Sequence, residues 1–273
     1  MIESVTNRQM KKMQKLMKQS RTRRQERCFV VEGWKMVAEA LAYDLVLHLY
    51  VKESEADTFK QHLKELGSDV VPSDVPVDIV RDSVFLQMSN TVTPQGIMAV
   101  AKIPFYDWQD IVSGQAGGIY KETKLLILED IQDPGNLGTI FRTAEGAGMS
   151  GVILSKGCVD LFNPKVVRST MGSLFRVPFF VCEDIALQMK GLQEQGFSFY
   201  AAHLQGEEDF TRVSYRGKLG ILIGNEANGL SGEMSELADV KVKIPMEGEL
   251  ESLNAAVSAS LFAYEVHRQL RSF

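Results

Sequence analysis

Cysteine is scarce in this chain: three residues in 273, at positions 28, 158 and 182, with no close pair. An odd and scattered set excludes a disulfide framework, and none of the three has a ligand-like spacing to His48, His62, His203 or His267, so no structural metal is expected. Long apolar runs are missing too. Nothing approaches the ~18 residues that a membrane span requires, and the first residues lack the apolar centre of a secretory signal. There is no repeat of fixed period, no low-complexity tract and no G-x-x-x-x-G-K-[ST] phosphate loop. What remains is ordinary globular composition, 45% hydrophobic and 24% charged, with length enough for two cores. The expectation is a reduced, cytoplasmic protein with no membrane association and no metal.

Charge is distributed unevenly. Residues 1–27 carry nine Lys or Arg against Glu3 and Glu26, a surplus of seven, so the net charge of −5 leaves −12 on the remainder. A polyanion would meet this amino-terminal arm first. A solvated amphipathic helix, with Met10, Met13 and Met17 as its buried stripe, explains the same residues, and a basic start is also compatible with a transit peptide.

Hydrophobic patterning places strands at 28–32, 45–51 and 96–102 and helices at 34–43 and 55–66, an α/β layer arrangement. Residues 105–123 lose apolar periodicity and contain Gly114, Gly117 and Gly118, which suggests a linker between a domain at 1–104 and a domain at 124–273. The second domain alternates strands (125–129, 151–154, 177–181, 197–202, 219–224, 240–244) with helices (136–146, 164–173, 184–195, 254–270). That order favours a parallel sheet covered on both faces, whose ligands sit beyond the carboxyl ends of the strands.

Gly146-Ala-Gly148-Met-Ser-Gly151 matches G-x-G-x-x-G, but it follows a helix and precedes a strand, the reverse of a dinucleotide fingerprint. A left-handed helix terminus explains these glycines. Three other blocks carry more. In the first, Asn136 to Gly148, Arg142 interrupts a small, apolar helix that follows Pro134-Gly135, and Asn136 suits an N-cap. Arg142 has a bland alternative, an ion pair with Glu145 or Glu129. In the second, an apolar strand ends in Gly224-Asn225-Glu226 and turns through Asn228-Gly229, with Ser231 suited to cap a short helix. In the third, Ile244-Pro245-Met246 leads through an acidic loop, Glu247 to Glu251, to Ser252-Leu253-Asn254 and a helix with a face of small residues.

In this order and spacing the three blocks resemble the signature motifs of the SpoU/TrmH family of RNA ribose 2′-O-methyltransferases. Asn163 to Pro178 is similar to the stretch between the first two motifs. Phe29-Val-Val-Glu32-Gly33 and Thr93-Pro-Gln95-Gly96 resemble the family's smaller amino-terminal α/β substrate-binding domain. The resemblance implies an α/β fold with a parallel sheet, a carboxyl-terminal trefoil knot, and S-adenosylmethionine held near Gly224, Ile244, Met246 and Leu253, with the His203–Gln205 turn, including Leu204, as a further wall. It implies Arg142, Asn136, Glu226, Ser252 and Asn254 at the reacting centre, and a homodimer through the knotted domain. The implied substrate is RNA, ribosomal RNA first and transfer RNA second, with phosphates expected on Lys15, Arg21, Arg23 and Arg24 and RNA contacts nearer the methylation site on Arg168 and Arg176. A catalytically idle RNA-binding assembly factor with the same fold is the rival from another class.

Overall fold

The structure, a computed structural model, describes residues 1–66, 71–117, 119, 121–249 and 252–271; Gly118 and Glu251, singled out in the sequence, lie outside the described residues. In chain order the elements begin α1 (Arg8–Lys18), α2 (Ser20–Glu26), β1 (Cys28–Glu32), α3 (Trp34–Ala42), β2 (Val46–Lys52), α4 (Ala56–Leu66), β3 (Val77–Val80), α5 (Asp82–Met88) and β4 (Ile97–Lys102). They continue α6 (Trp108–Ser113), β5 (Lys124–Leu128), α7 (Pro134–Gly146), β6 (Gly151–Ser155), α8 (Pro164–Ser169), β7 (Phe179–Cys182), α9 (Ile185–Glu194) and β8 (Ser198–Ala202). The last are β9 (Glu208–Asp209), β10 (Leu219–Ile223), α10 (Gly232–Glu236), β11 (Val240–Lys243) and α11 (Ala255–Leu270). Two compact units result, one of residues Met1–Phe105 and Phe162–Phe175, the other of Tyr106–Leu161 and Arg176–Phe273.

The first unit holds a four-stranded sheet in the order β1-β4-β2-β3, with β4 antiparallel to both neighbours and β3 parallel to β2. Met10, Met13 and Leu16 of α1 are buried against it, while Met17 is only partly covered. The buried stripe thus takes in Leu16 instead of Met17. Phe162–Phe175, which chain order alone assigns to 124–273, packs with this unit. The ring of Phe29 on β1 lies 4.9 Å from that of Phe162 and 6.2 Å from that of Phe175, so both ends of the segment are anchored on one aromatic side chain.

The second unit is built on a seven-stranded sheet, order β7-β6-β5-β10-β8-β11-β9, with every pairing parallel, as expected from the alternation in the sequence. Both faces are covered, and the central strands therefore read as unbroken apolar runs: all residues of β5 and β10 are buried. The charged exception is Lys124, whose Nζ donates to Gly217 O. The stretch read as a linker contains α6, whose Ile111 and Val112 enter this core. Its six residues are too few for a periodic pattern to emerge from sequence. Gly148 has φ +70°, the left-handed terminus that the misplaced glycine motif suggested.

Candidate active site

The carboxyl ends of β5, β8, β10 and β11 bring together the loops that carry the three sequence blocks. The turn after β10 closes on itself, with Asn225 and Gly229 exchanging backbone hydrogen bonds of 3.0 and 2.9 Å. A Cβ on Gly224 would fall on the backbone of Gly229 and Leu230, so this position tolerates no side chain. Asn225 Oδ1 accepts from Ala227 N and Asn228 N at 2.9 and 3.1 Å, and its Nδ2 donates to Asp130 O at 2.7 Å. The loop is thereby tied to the end of β5.

Asn136 is not the N-cap of α7. The helix begins two residues earlier, at Pro134, and Asp133 caps it by accepting Asn136 N at 2.8 Å. Proline suits the first turn because its missing N–H has no partner there anyway. Released from capping, the buried Asn136 amide reaches sideways: Nδ2 donates to Glu226 Oε1 at 3.0 Å, and Oδ1 accepts from Asn254 Nδ2 at 2.8 Å. Asn254 caps α11 as expected, its Oδ1 accepting Ala256 N and Val257 N at 2.9 and 3.2 Å. Glu226 also accepts Gln132 N and Asp133 N, both at 3.0 Å. Burial works to raise the Glu226 pKa, but the bonds from Asn136, Gln132 and Asp133 outweigh it and hold the carboxyl below its ordinary 4.5. Carboxylate, two amides and a helix terminus thus form one polarised chain.

Beside this chain opens a cavity of about 490 Å³. Gly224, Ile244, Met246, Leu253 and Leu204, the residues expected around a cofactor, all line it, together with Glu226, Ser252 and the His203–Gln205 turn. Gln205 N donates to His203 Nδ1 at 3.1 Å and keeps that turn compact. Ser258 and Phe262 line it as well; sequence reasoning missed them, although their four-residue spacing places them on one face of a helix. Lys and Arg are absent from the lining and Glu226 is its one acidic residue, among the described residues.

Arg142 stands apart from the amide chain. It is exposed on α7, six residues or about 9 Å of helix rise beyond Asn136, and has no hydrogen-bond or ion-pair partner among the described residues. Neither suggested surface pairing forms. Glu129 accepts Ser231 N at 2.7 Å, and Glu145 binds Arg176 through Nε at 2.6 Å and Nη2 at 3.2 Å. Arg176, expected to contact RNA near the methylation site, is thus held by Glu145. Arg23, expected on phosphate, is instead buried and donates to Leu16 O and Met17 O at the end of α1. Lys15, Arg21, Arg24 and Arg168 are exposed.

Residues 123–264 match the SpoU rRNA Methylase family. The chain belongs to that family. Within this SpoU protein, residues 7–99 match the MRM3-like substrate binding domain. A relative in Bacillus subtilis (strain 168), the 23S rRNA (guanosine(2553)-2′-O)-methyltransferase RlmP, is 31% identical over 271 residues, covering 97% of this chain and 98% of its own. Two solved structures are similar over nearly the full length. The SpoU methyltransferase AviRb from Streptomyces viridochromogenes, in complex with AdoMet, superposes with a TM-score of 0.84 at 25% identity, covering 96% of this chain and 98% of its own. The AdoMet-bound rRNA methyltransferase from Sinorhizobium meliloti does so with 0.83 at 28%, covering 99% and 98%. The family resemblance and the parallel α/β fold expected from the motifs are both borne out. No helix among the described residues is long and apolar enough to cross a membrane, and no group of three or more His, Cys, Asp or Glu there could hold a metal ion.

Proposed function

We propose that this protein transfers a methyl group from S-adenosylmethionine to a ribose 2′-hydroxyl of ribosomal RNA. The observation that carries the reading is the cavity at the strand ends, whose single carboxylate is held charged beside the Asn136–Asn254 amide pair. The cofactor fits the residues present. About 490 Å³ lies within the range of small-ligand sites, and the 202–205 and 224–230 turns line it together with apolar residues such as Ile244, Met246 and Leu253. The sign of the charge fits as well. A cationic sulfonium suits a lining with one carboxylate and no Lys or Arg, whereas a dinucleotide pyrophosphate does not. Ribosomal RNA is supported by the Bacillus and Sinorhizobium relatives, both rRNA methyltransferases, which match over nearly their whole length.

S-adenosylmethionine supplies an electrophilic methyl on sulfur. What the chain must contribute is alignment and support for negative charge growing on the ribose 2′-oxygen. Asn136 and Asn254 each retain an amide hydrogen beyond the bonds described, available to orient the ribose. Glu226, held by three donors, acts through Asn136 as a positioning residue. Ser252, on the cavity wall, orients the sugar from the other side. An arginine guanidinium does not surrender its proton near neutrality, so Arg142 stabilises alkoxide character or anchors the neighbouring phosphate.

The same reading includes a carboxyl-terminal trefoil knot and a homodimer, acting in the cytoplasm. The insertion of β10 between β5 and β8 is consistent with a threaded chain end. Dimerisation is supported by Val257, Leu261 and Tyr264, exposed along α11 beside an open groove bordered by α7. Lys15, Arg21, Arg24 and Arg168 contact RNA phosphates. The test is calorimetry with S-adenosylmethionine, followed by radiolabelled transfer to ribosomal RNA and nucleoside analysis. Saturable binding and a 2′-O-methylated nucleoside are expected. Absence of cofactor binding overturns the enzyme reading and leaves an RNA-binding factor.

A further inference from the structure

The turn after β8 carries three residues of the cavity wall, His203, Leu204 and Gln205. Its stems are held by backbone. His203 N donates to Val242 O on β11 at 2.9 Å, and Gly206 N donates to His203 O at 3.0 Å. A Cβ on Gly206 would fall on the backbone of Val242 and Lys243, so the second stem is seated against β11 as closely as the first. The tip is held differently. Gln205 N takes no backbone acceptor among the described residues and donates to His203 Nδ1, at 3.1 Å. Leu204, enclosed by this bond, is 61% exposed on the cavity wall. A bare apolar side chain there is covered when a ligand fills the cavity.

A ring nitrogen accepts a hydrogen bond only while it carries no proton. The bond from Gln205 N therefore requires the neutral ring with its hydrogen on Nε2, because a second hydrogen on Nδ1 would set two donors against each other. Imidazoles as a class gain that second proton between about pH 8 and pH 5. The charged groups on the elements around the turn are Lys241 and Lys243 on β11, Glu207, Glu208 and Asp209 just beyond the turn, Glu226 after β10, and Glu247 and Glu249 after β11. None of them is paired with the imidazole among the described residues. Bonds from Thr211 hold Asp209 below its ordinary value, and Glu226, despite its burial, is held low by its three donors. Carboxylates and ammonium groups as classes change charge outside the window from about pH 7.5 to 5.5.

We propose that His203 is a positioning residue of the methyl-donor pocket: its neutral imidazole closes the turn that holds Leu204 against the ligand, and its protonation releases that wall. The inference rests on the reading of this cavity as the S-adenosylmethionine site, and it adds the residue through which cofactor affinity depends on pH.

The experiment is calorimetry of the full-length protein with S-adenosylmethionine at about pH 7.5 and 5.5, on the parent, His203→Asn and His203→Ala. An asparagine oxygen accepts the N–H two residues further on but does not titrate, so His203→Asn keeps the bond and removes the proton. The ligand's amino group and Glu226 are common to all three proteins, and the comparison isolates the ring. At the higher pH the parent and His203→Asn bind equally, and His203→Ala binds about fivefold more weakly, the loss of one hydrogen bond. About one ordinary imidazole in ten is neutral at the lower pH, and an affinity that needs the neutral form falls with that fraction. The parent should therefore drop about tenfold below His203→Asn there. Parent and His203→Asn weakening together on acidification overturns the proposal, as does His203→Asn weaker than the parent at the higher pH. Parent-like affinity of His203→Ala at the higher pH also overturns it, because the turn then needs no imidazole. A parent that binds no S-adenosylmethionine at the higher pH overturns the cofactor reading itself, and the role of His203 with it.

Discussion

The loops at the strand ends of the second unit and the outer face of the first treat polar groups in opposite ways. Around the cavity, Glu226, Asn136, Asn254 and Asn225 are committed to named partners, and each bond fixes a neighbouring loop. On α1, α2 and α8 the exposed cations Lys15, Arg21, Arg24 and Arg168 are held by no ion pair among the described residues. The difference fits the two tasks proposed for them. Aligning an oxygen with a methyl group requires groups fixed in advance, because reorganising them would cost free energy at the moment of reaction. Attracting a polyanion requires only charge, and solvated side chains that adjust to many phosphate positions serve that purpose. Arg142, proposed for the reacting centre, is the exception within the second unit: it is exposed and has no hydrogen-bond or ion-pair partner among the described residues.

The fixed half of this comparison is broken most completely at Gly224. Gly224→Ala sets a methyl group on the backbone of Gly229 and Leu230, where no side-chain rotation relieves it. The expected outcome is loss of measurable cofactor binding in calorimetry with the first unit still folded; parent-like affinity would show that the turn does not shape the cavity. Arg142→Ala comes next and separates the unsupported cation from the fixed network. Its methyl transfer should fall by about 10²–10³-fold, the range for removing one group that stabilises developing oxyanion charge. Cofactor affinity should not change, and equal turnover in mutant and parent would remove Arg142 from the mechanism.

On the solvated side, replacing Lys15, Arg21 and Arg24 together by Gln should flatten the dependence of log affinity on log salt by about 3, nearly one per lost phosphate contact. The turnover number at saturating RNA should remain. An unchanged slope would assign the arm to another partner.

How much of this could be read in the sequence depended on whether the deciding interaction was local. The bounds of β1, the Asn254 cap and the parallel sheet follow from patterns within a few residues, and they are as expected. The cap of α7 was assigned one turn late because Asn136 and Asp133 are both good caps; only Pro134 at the first helical position favours the earlier start. Arg23 and Arg176 looked like free cations because their partners, the end of α1 and Glu145, depend on how the chain bends back. Non-local packing likewise hid the attachment of Phe162–Phe175 to Phe29, with 133 and 146 residues between the ring pairs' positions in the chain. The residues that line the cavity were legible through motif resemblance, while the hydrogen-bond chain linking Glu226 to α11 was not, since pairing across 90 and 118 residues leaves no periodic trace.

The smallest expected effect tests whether the fixed network depends on charge. Because the folded-state pKa of Glu226 lies below its ordinary 4.5, its contribution to stability is fully present above that value and is lost as pH falls through the folded pKa. Glu265, held low first by its bond from Arg268, titrates in the same acidic window, so acid unfolding of the parent alone does not isolate Glu226. The difference between parent and Glu226→Gln does, because Glu265 is common to both. Urea unfolding should show the parent more stable at neutral pH, by a margin that shrinks steadily below about pH 4.5. A margin independent of pH would mean that Glu226 holds the α7 terminus by shape and hydrogen bonding alone, with its negative charge serving the cationic cofactor rather than the fold.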